Sequence, residues 1–145
     1  MKKLILAMLL AVAAPAALAQ VEVRDAWIRA TVPSARSSGL FMRIRSAQDA
    51  QLVEVRSSVA GVAEIHQMRM DGQMMRMQTV DAIDLPAGQA VNLAAGGYHI
   101  MLMDLKRQLK EGETVPVRLV MRNKGKVTLT QDVSVTVKPL TYNPK

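Results

Sequence analysis

Residues 62–80 read VAEIHQMRMDGQMMRMQTV. Two runs of alternating character flank Asp71-Gly72, a dipeptide suited to the positive backbone angles of a tight hairpin turn. Period-two alternation marks a half-buried strand, so the stretch predicts an antiparallel hairpin, Val62–Met70 returning as Met74–Val80. With Asp71-Gly72 as a two-residue loop, Met70 faces Gln73, Met68 faces Met75 and His66 faces Met77. Directly opposed residues hold their Cβ atoms about 4.5–5.5 Å apart on one face. The expectation is therefore an imidazole beside a thioether, and it depends on the register.

The same alternation runs outward through the chain. Val21–Ala30, Leu40–Arg45, Leu52–Ser57, Tyr98–Met103, Val115–Arg122 and Val127–Lys138 all read as strands. Between them fall turn signals: Pro33-Ser34, Gln48-Asp49, Pro86-Ala87-Gly88, Gly96-Gly97, Glu111-Gly112 and Asn123-Lys124-Gly125. Only Asp104–Lys110 has room for a helical turn or two. Many short strands at fairly regular spacing point to an all-β fold, an antiparallel β-sandwich or small barrel, in a single domain over residues 20–145.

Residues 1–19 read as a cleaved export signal. Lys2 and Lys3 precede the apolar stretch Leu4–Ala14, and Ala17-Leu18-Ala19 supplies small residues for cleavage ahead of Gln20. The stretch is short and broken by Pro15, which disfavours a membrane anchor, and no later segment approaches spanning length. The expected product is an exported, periplasmic protein with no membrane span.

Composition narrows the function. The chain of 145 residues carries 19 Lys plus Arg against 12 Asp plus Glu, 11 Met and no Cys. Without cysteine there is no disulfide framework, thiolate zinc site, iron–sulfur cluster, thiol nucleophile or blue-copper centre. The arginines (Arg24, Arg29, Arg43, Arg45, Arg56, Arg69, Arg76) are scattered among apolar residues as on solvated strand faces. They form no basic run and no stacking set, so nucleic acid is not the expected partner. The net positive charge is left to help docking on an acidic partner or anionic surface. No nucleophile elbow, phosphate loop or carboxylate pair marks an enzyme, and no catalytic residue is assigned.

The two histidines, His66 and His99, both lie in the methionine-rich middle of the chain. On a strand, His99, Met101 and Met103 share a face, with His99 and Met101 about 6.6–6.8 Å apart. Imidazole and thioether together make a soft, uncharged ligand set that favours Cu(I) over zinc, calcium or magnesium. Met68, Met70, Met75 and Met103 are placed by the same-face rule to bound such a site or line a route to it. Met42, Met74 and Met121 read as adaptable core filler.

The spacing His66, ten residues, Met77, twenty-one residues, His99, one residue, Met101 resembles the H-x10-M-x21-H-x-M signature of the periplasmic copper chaperones of the PCuAC family. Residues 26–30 (AWIRA), 64–68 (EIHQM), 97–105 (GYHIMLMDL) and 109–115 (LKEGETV) extend the similarity over nearly the whole exported chain. The resemblance implies a cupredoxin-like β-sandwich holding one Cu(I) per chain through His66, Met77, His99 and Met101. It also implies delivery toward the Cu-A centre of cytochrome c oxidase, alongside or through a Sco-like protein. Many relatives carry a His- and Met-rich tail for Cu(II), whereas residues 138–145 (KPLTYNPK) hold no such ligand. Two other expectations stand beside the carrier: a periplasmic copper buffer serving tolerance, and a β-sandwich interaction module whose methionine face binds protein rather than metal.

Overall fold

The structure is a computed structural model that describes residues 21–124 and 128–145. The export signal and the start of the expected Val127–Lys138 strand lie outside the described residues. Ten strands follow in chain order: β1 Val21–Arg29, β2 Ser37–Ser46, β3 Ala50–Ser57, β4 Ala60–Asp71, β5 Met74–Val80, β6 Ile83–Leu85, β7 Ala90–Leu93, β8 Tyr98–Leu105, β9 Thr114–Asn123 and β10 Thr128–Lys138. They pair in the order β5-β4-β8-β2-β1-β10-β9-β3-β6, with β7 also on β2. The fold is the expected all-β, sandwich-like one, with a correction to its pairing: β1 runs parallel to β10, while the other pairs are antiparallel.

Alternation explains how one continuous sheet closes over one core. In β9, Val115, Val117, Leu119 and Met121 are buried every second residue; in β8, Ile100 and Leu102 are buried. Both sets join Ile28, Leu40, Ile65, Leu52 and Val135 in the same apolar cluster. Met42 and Met121 lie in it, as read from sequence; Met74 does not, being exposed. Pairing of β4 with β8 ends at Gln67 opposite Tyr98. Beyond that point the β4–β5 hairpin projects past the sheet body, and Met74 sits at its tip opposite Asp71.

The hairpin register differs from the expected one. Met70 pairs with Met75, Met68 with Met77, and His66 with Thr79 rather than with Met77. Gly72 and Gln73 form the loop, with Gly72 at φ 64° and Asp71 still in the strand. A glycine with positive φ at the first loop position alone is the arrangement of a type II′ turn. The shift is two residues, so every side chain keeps its face.

Three smaller differences have local causes. Strands β6 and β7 hold only three and four residues around the Pro86-Ala87-Gly88 turn, too short for alternation to register. The expected helical turn at Asp104–Lys110 is absent. There Leu105 and Lys106 donate their N–H groups to the Arg36 and Val59 carbonyls, and Leu109 is fully buried, so its backbone exchanges hydrogen bonds with Thr31 instead. In β1, Asp25 at φ 54° and Ala26 together oppose Met42 in a bulge that turns Trp27 onto the face of Phe41 and sends Ile28 into the core. The arginines named above are exposed except Arg29, which is half-buried over the Trp27 ring.

The turn makes a direct prediction. Gly72→Ala puts a side chain on a left-handed backbone and is expected to cost about 1–2 kcal/mol. Gly96→Ala, where φ is not positive and a Cβ meets open space, should stay within about 0.5 kcal/mol. Urea unfolding compares them; equal shifts would contradict the turn assignment.

Candidate metal centre

The strand β4 lies between β5 and β8, and its outward face carries Val62, Glu64, His66, Met68 and Met70. On β8, the outward residues are His99, Met101 and Met103. The register sets His66 directly opposite His99, Glu64 opposite Met101 and Val62 opposite Met103. The rings of His66 and His99 meet edge to face, with centroids 5.5 Å apart. Both are buried, at 7% and 5% exposure.

Each imidazole has one buried nitrogen with nothing to bond. These are Nδ1 of His66 and Nδ1 of His99, the two unsatisfied buried side-chain atoms among the described residues. Leaving a buried polar atom without a partner costs about 1–3 kcal/mol, and the two histidines that carry these atoms occupy one rung. For His66 the protonation pattern follows from its neighbour. Its Nε2 lies 2.8 Å from Oε2 of Glu64; a carboxylate only accepts, so Nε2 donates, and in the neutral ring that leaves the lone pair on Nδ1. The same Glu64 oxygen accepts from the Thr79 hydroxyl at 3.3 Å, which ties β5 to the centre. The hydrogen bond from His66, helped by the one from Thr79, holds the Glu64 carboxyl below its usual range. A carboxylate that orients a ligating imidazole through its other nitrogen is a recurrent feature of metal sites.

His99 is held toward the neutral form. Burial lowers its pKa, aided by repulsion from His66 and opposed by the Gly97 backbone. A neutral imidazole is the form that can ligate. Beside it stands Phe41, whose ring lies 6.2 Å from that of His99 and stacks on Trp27 at 4.5 Å. Trp27 in turn meets Tyr142 edge-on at 4.8 Å. Arg29 covers Trp27 and donates to the backbone oxygens of Leu140 and Tyr142, so the ligand-free tail packs beside the centre. Gly39, paired with Met101, makes room for this wall, because a Cβ there would come within 2.6 Å of Phe41 Cζ.

The predicted site residues therefore fall as follows. His66 and His99 are brought together on one rung. Met101 is half-buried on the rung of Glu64, and Met77 is exposed on the rung of Met68, so the two thioethers flank the histidines on opposite diagonals. Met68 and Met103 are half-buried on the same face, while Met70 and Met75 are exposed toward the hairpin tip. No group of three His, Cys, Asp or Glu residues placed to hold a metal occurs among the described residues. Sequence reading missed Glu64, Phe41 and Gly39. Glu64 was legible in principle, two residues before His66 on the same face.

The family model described as "Putative lipoprotein LpqE-like" matches residues 21–135. The chain belongs to this family. It is 30% identical over 100 residues to "Putative lipoprotein Lxx21020" of Leifsonia xyli subsp. xyli, a match covering 68% of this chain and 60% of that protein. Among solved structures, it is similar to CuI-DR1885 from Deinococcus radiodurans, with 33% identity, a TM-score of 0.58, and coverage of 78% of this chain and 74% of that one. The copper-bound PCuAC domain from PmoF2 matches at 22% identity with a TM-score of 0.66, over 85% of this chain and 96% of that domain. At that identity the likeness shows the fold, and the fold is that of PCuAC domains. The resemblance read from the motif thus holds.

Two outcomes test the centre without any metal. In a ring-proton NMR titration, His99 is expected to titrate below about 6.5. The unfolded chain takes up this proton at the ordinary value and the folded chain only at lower pH, so stability is full above about 6.5 and declines as pH falls toward the folded value. An inflection at or above the ordinary value would contradict the burial. Gly39→Ala should displace Phe41, change the near-UV signal of Trp27 and move the His99 inflection back up; an unmoved inflection would show that Phe41 does not shield it.

Proposed function

We propose that this protein is an exported Cu(I) carrier, a binding protein rather than an enzyme, holding one Cu(I) at His66 and His99 with Met77 and Met101. The observation that carries the reading is the pair of buried histidines on a single rung, each with an unpartnered Nδ1 and flanked along the strands by Met77 and Met101. The residues fit the ion: two imidazoles and uncharged sulfurs suit a soft monovalent cation. Glu64 sets the tautomer of His66, and the Phe41–Trp27 wall keeps water from one flank. Two similar structures, CuI-DR1885 and the copper-bound PmoF2 domain, carry copper by name, which supports the same cargo here. The lipoprotein names of the family and of the Leifsonia relative support export, in line with the signal read at residues 1–19.

Delivery follows from the exposure of Met77, at 51%. An incoming ligand from an acceptor can reach that side, displace the thioether and take the ion stepwise, with no change of oxidation state. The acceptor we propose is the Cu-A domain of cytochrome c oxidase, directly or through a Sco-like protein. An open ligand favours this carrier role over closed storage.

Titration of Cu(I) against a chromogenic chelator tests the binding step. The tightest equivalent is expected to be lost on His66→Ala with His99→Ala, while Glu64→Gln keeps it and weakens its affinity about 10–100-fold. At 100-fold excess over the dissociation constant the native state should gain about 2.7 kcal/mol. Unchanged affinity in the double histidine variant would overturn the site. Transfer to an apo Cu-A or Sco-like domain faster than release to buffer is the outcome expected of a carrier; release-limited transfer would make it a buffer.

A further inference from the structure

The outward face of the β4–β5 hairpin does not end at the histidines. Beyond His66–Thr79 come two successive rungs made only of methionine, Met68–Met77 and Met70–Met75. We propose that Met68, Met70 and Met75 form a second, thioether-only Cu(I) site at the hairpin tip, one step outside the histidine centre.

Opposed Cβ atoms about 4.5–5.5 Å apart, on side chains with three rotatable bonds and a polarizable sulfur, can converge on a soft ion without moving the backbone. Met70 and Met75 are 60% and 49% exposed, open to copper arriving from solvent or a partner. The face they occupy carries no charge from Met68 to Thr79. The two nearest cations, Arg69 and Arg76, pair with each other's positions on the opposite face, and Arg76 meets Asp71 at 3.1 Å. A monovalent cation therefore approaches a neutral, soft surface rather than a repelling one. Large apolar side chains on a projecting edge hairpin are a hazard for edge-to-edge association, which strands normally blunt with charge; metal ligation gives these positions a reason to remain methionine. The set is also distinct from a Cu(II)-type tail, since it contains no imidazole or carboxylate.

The second site takes the identity of its metal from the copper reading of the histidine centre but stands on its own residues. Met77, opposite Met68 and diagonal to His66, is the link between them. Copper passes inward or outward by ligand exchange, one thioether or imidazole binding as another leaves, and the ion remains Cu(I) throughout.

Native mass spectrometry and methyl-13C methionine NMR with Ag(I), a redox-inert stand-in for Cu(I), test this. Two equivalents are expected, the second moving the methyl signals of Met68, Met70 and Met75. Met70→Leu with Met75→Leu, volume-conserving at exposed positions, should keep the fold and the first equivalent and weaken the second at least tenfold. His66→Ala with His99→Ala should lose the first equivalent and keep the hairpin one. A wild-type limit of one equivalent, or a second equivalent unchanged by the leucine pair, overturns the hairpin site while leaving the histidine centre standing. Loss of an equivalent in the leucine pair but none in the histidine pair upholds the hairpin site and overturns the histidine centre.

Discussion

The pairing of β4 with β8 is the constraint from which the centre follows. It sets His66 across from His99 with both rings under cover, and it leaves each with an unbonded Nδ1. Two such atoms oppose folding by about 1–3 kcal/mol each, a substantial fraction of a domain's stability of roughly 5–15 kcal/mol. The rest of the structure offsets that cost. One apolar cluster draws on strands from both ends of the sheet order, and Glu64, Phe41 and Gly39 fix the rings in the orientation the pairing provides.

The bulge in β1 shows how far this dependence extends. Were Asp25 alone opposite Met42, regular pairing would set Trp27 opposite Leu40 and toward the core, and Phe41 would lose its stacking partner. With it, a rigid aromatic wall stands against His99 and carries the C-terminal tail on its far side. The wall covers one flank while the exposed methionines of the hairpin leave the other open. A closed flank that favours neutral histidine and an open flank of exchangeable thioethers together suit a protein that must hold an ion and release it.

Much of this was legible in the sequence. Alternation alone located eight of the strands and put His66 with Met77, and His99 with Met101, on common faces, and it survived an error in the hairpin register because a two-residue shift preserves the face. The pairing partner did not survive: Gly72-Gln73 as the loop puts Thr79, not Met77, opposite His66. Alternation says which way a side chain points and nothing about which distant strand lies beside it, so the His66–His99 rung was beyond reach except through the motif. The bulge at Asp25, the covering role of Phe41 and the space left by Gly39 are likewise products of long-range pairing. Met74 was misread as filler because the end of β8, which leaves the hairpin tip without a neighbour, is a tertiary fact.

The central claim is that both Nδ1 atoms ligate a single Cu(I). Long-range 1H–15N NMR of the histidine side chains, recorded before and after one equivalent of Cu(I), tests it most directly. The account predicts that Nδ1 of His66 and Nδ1 of His99 shift together while Nε2 of His66 remains protonated against Glu64. Unmoved Nδ1 signals, or binding through Nε2 with loss of the Glu64 hydrogen bond, would contradict it.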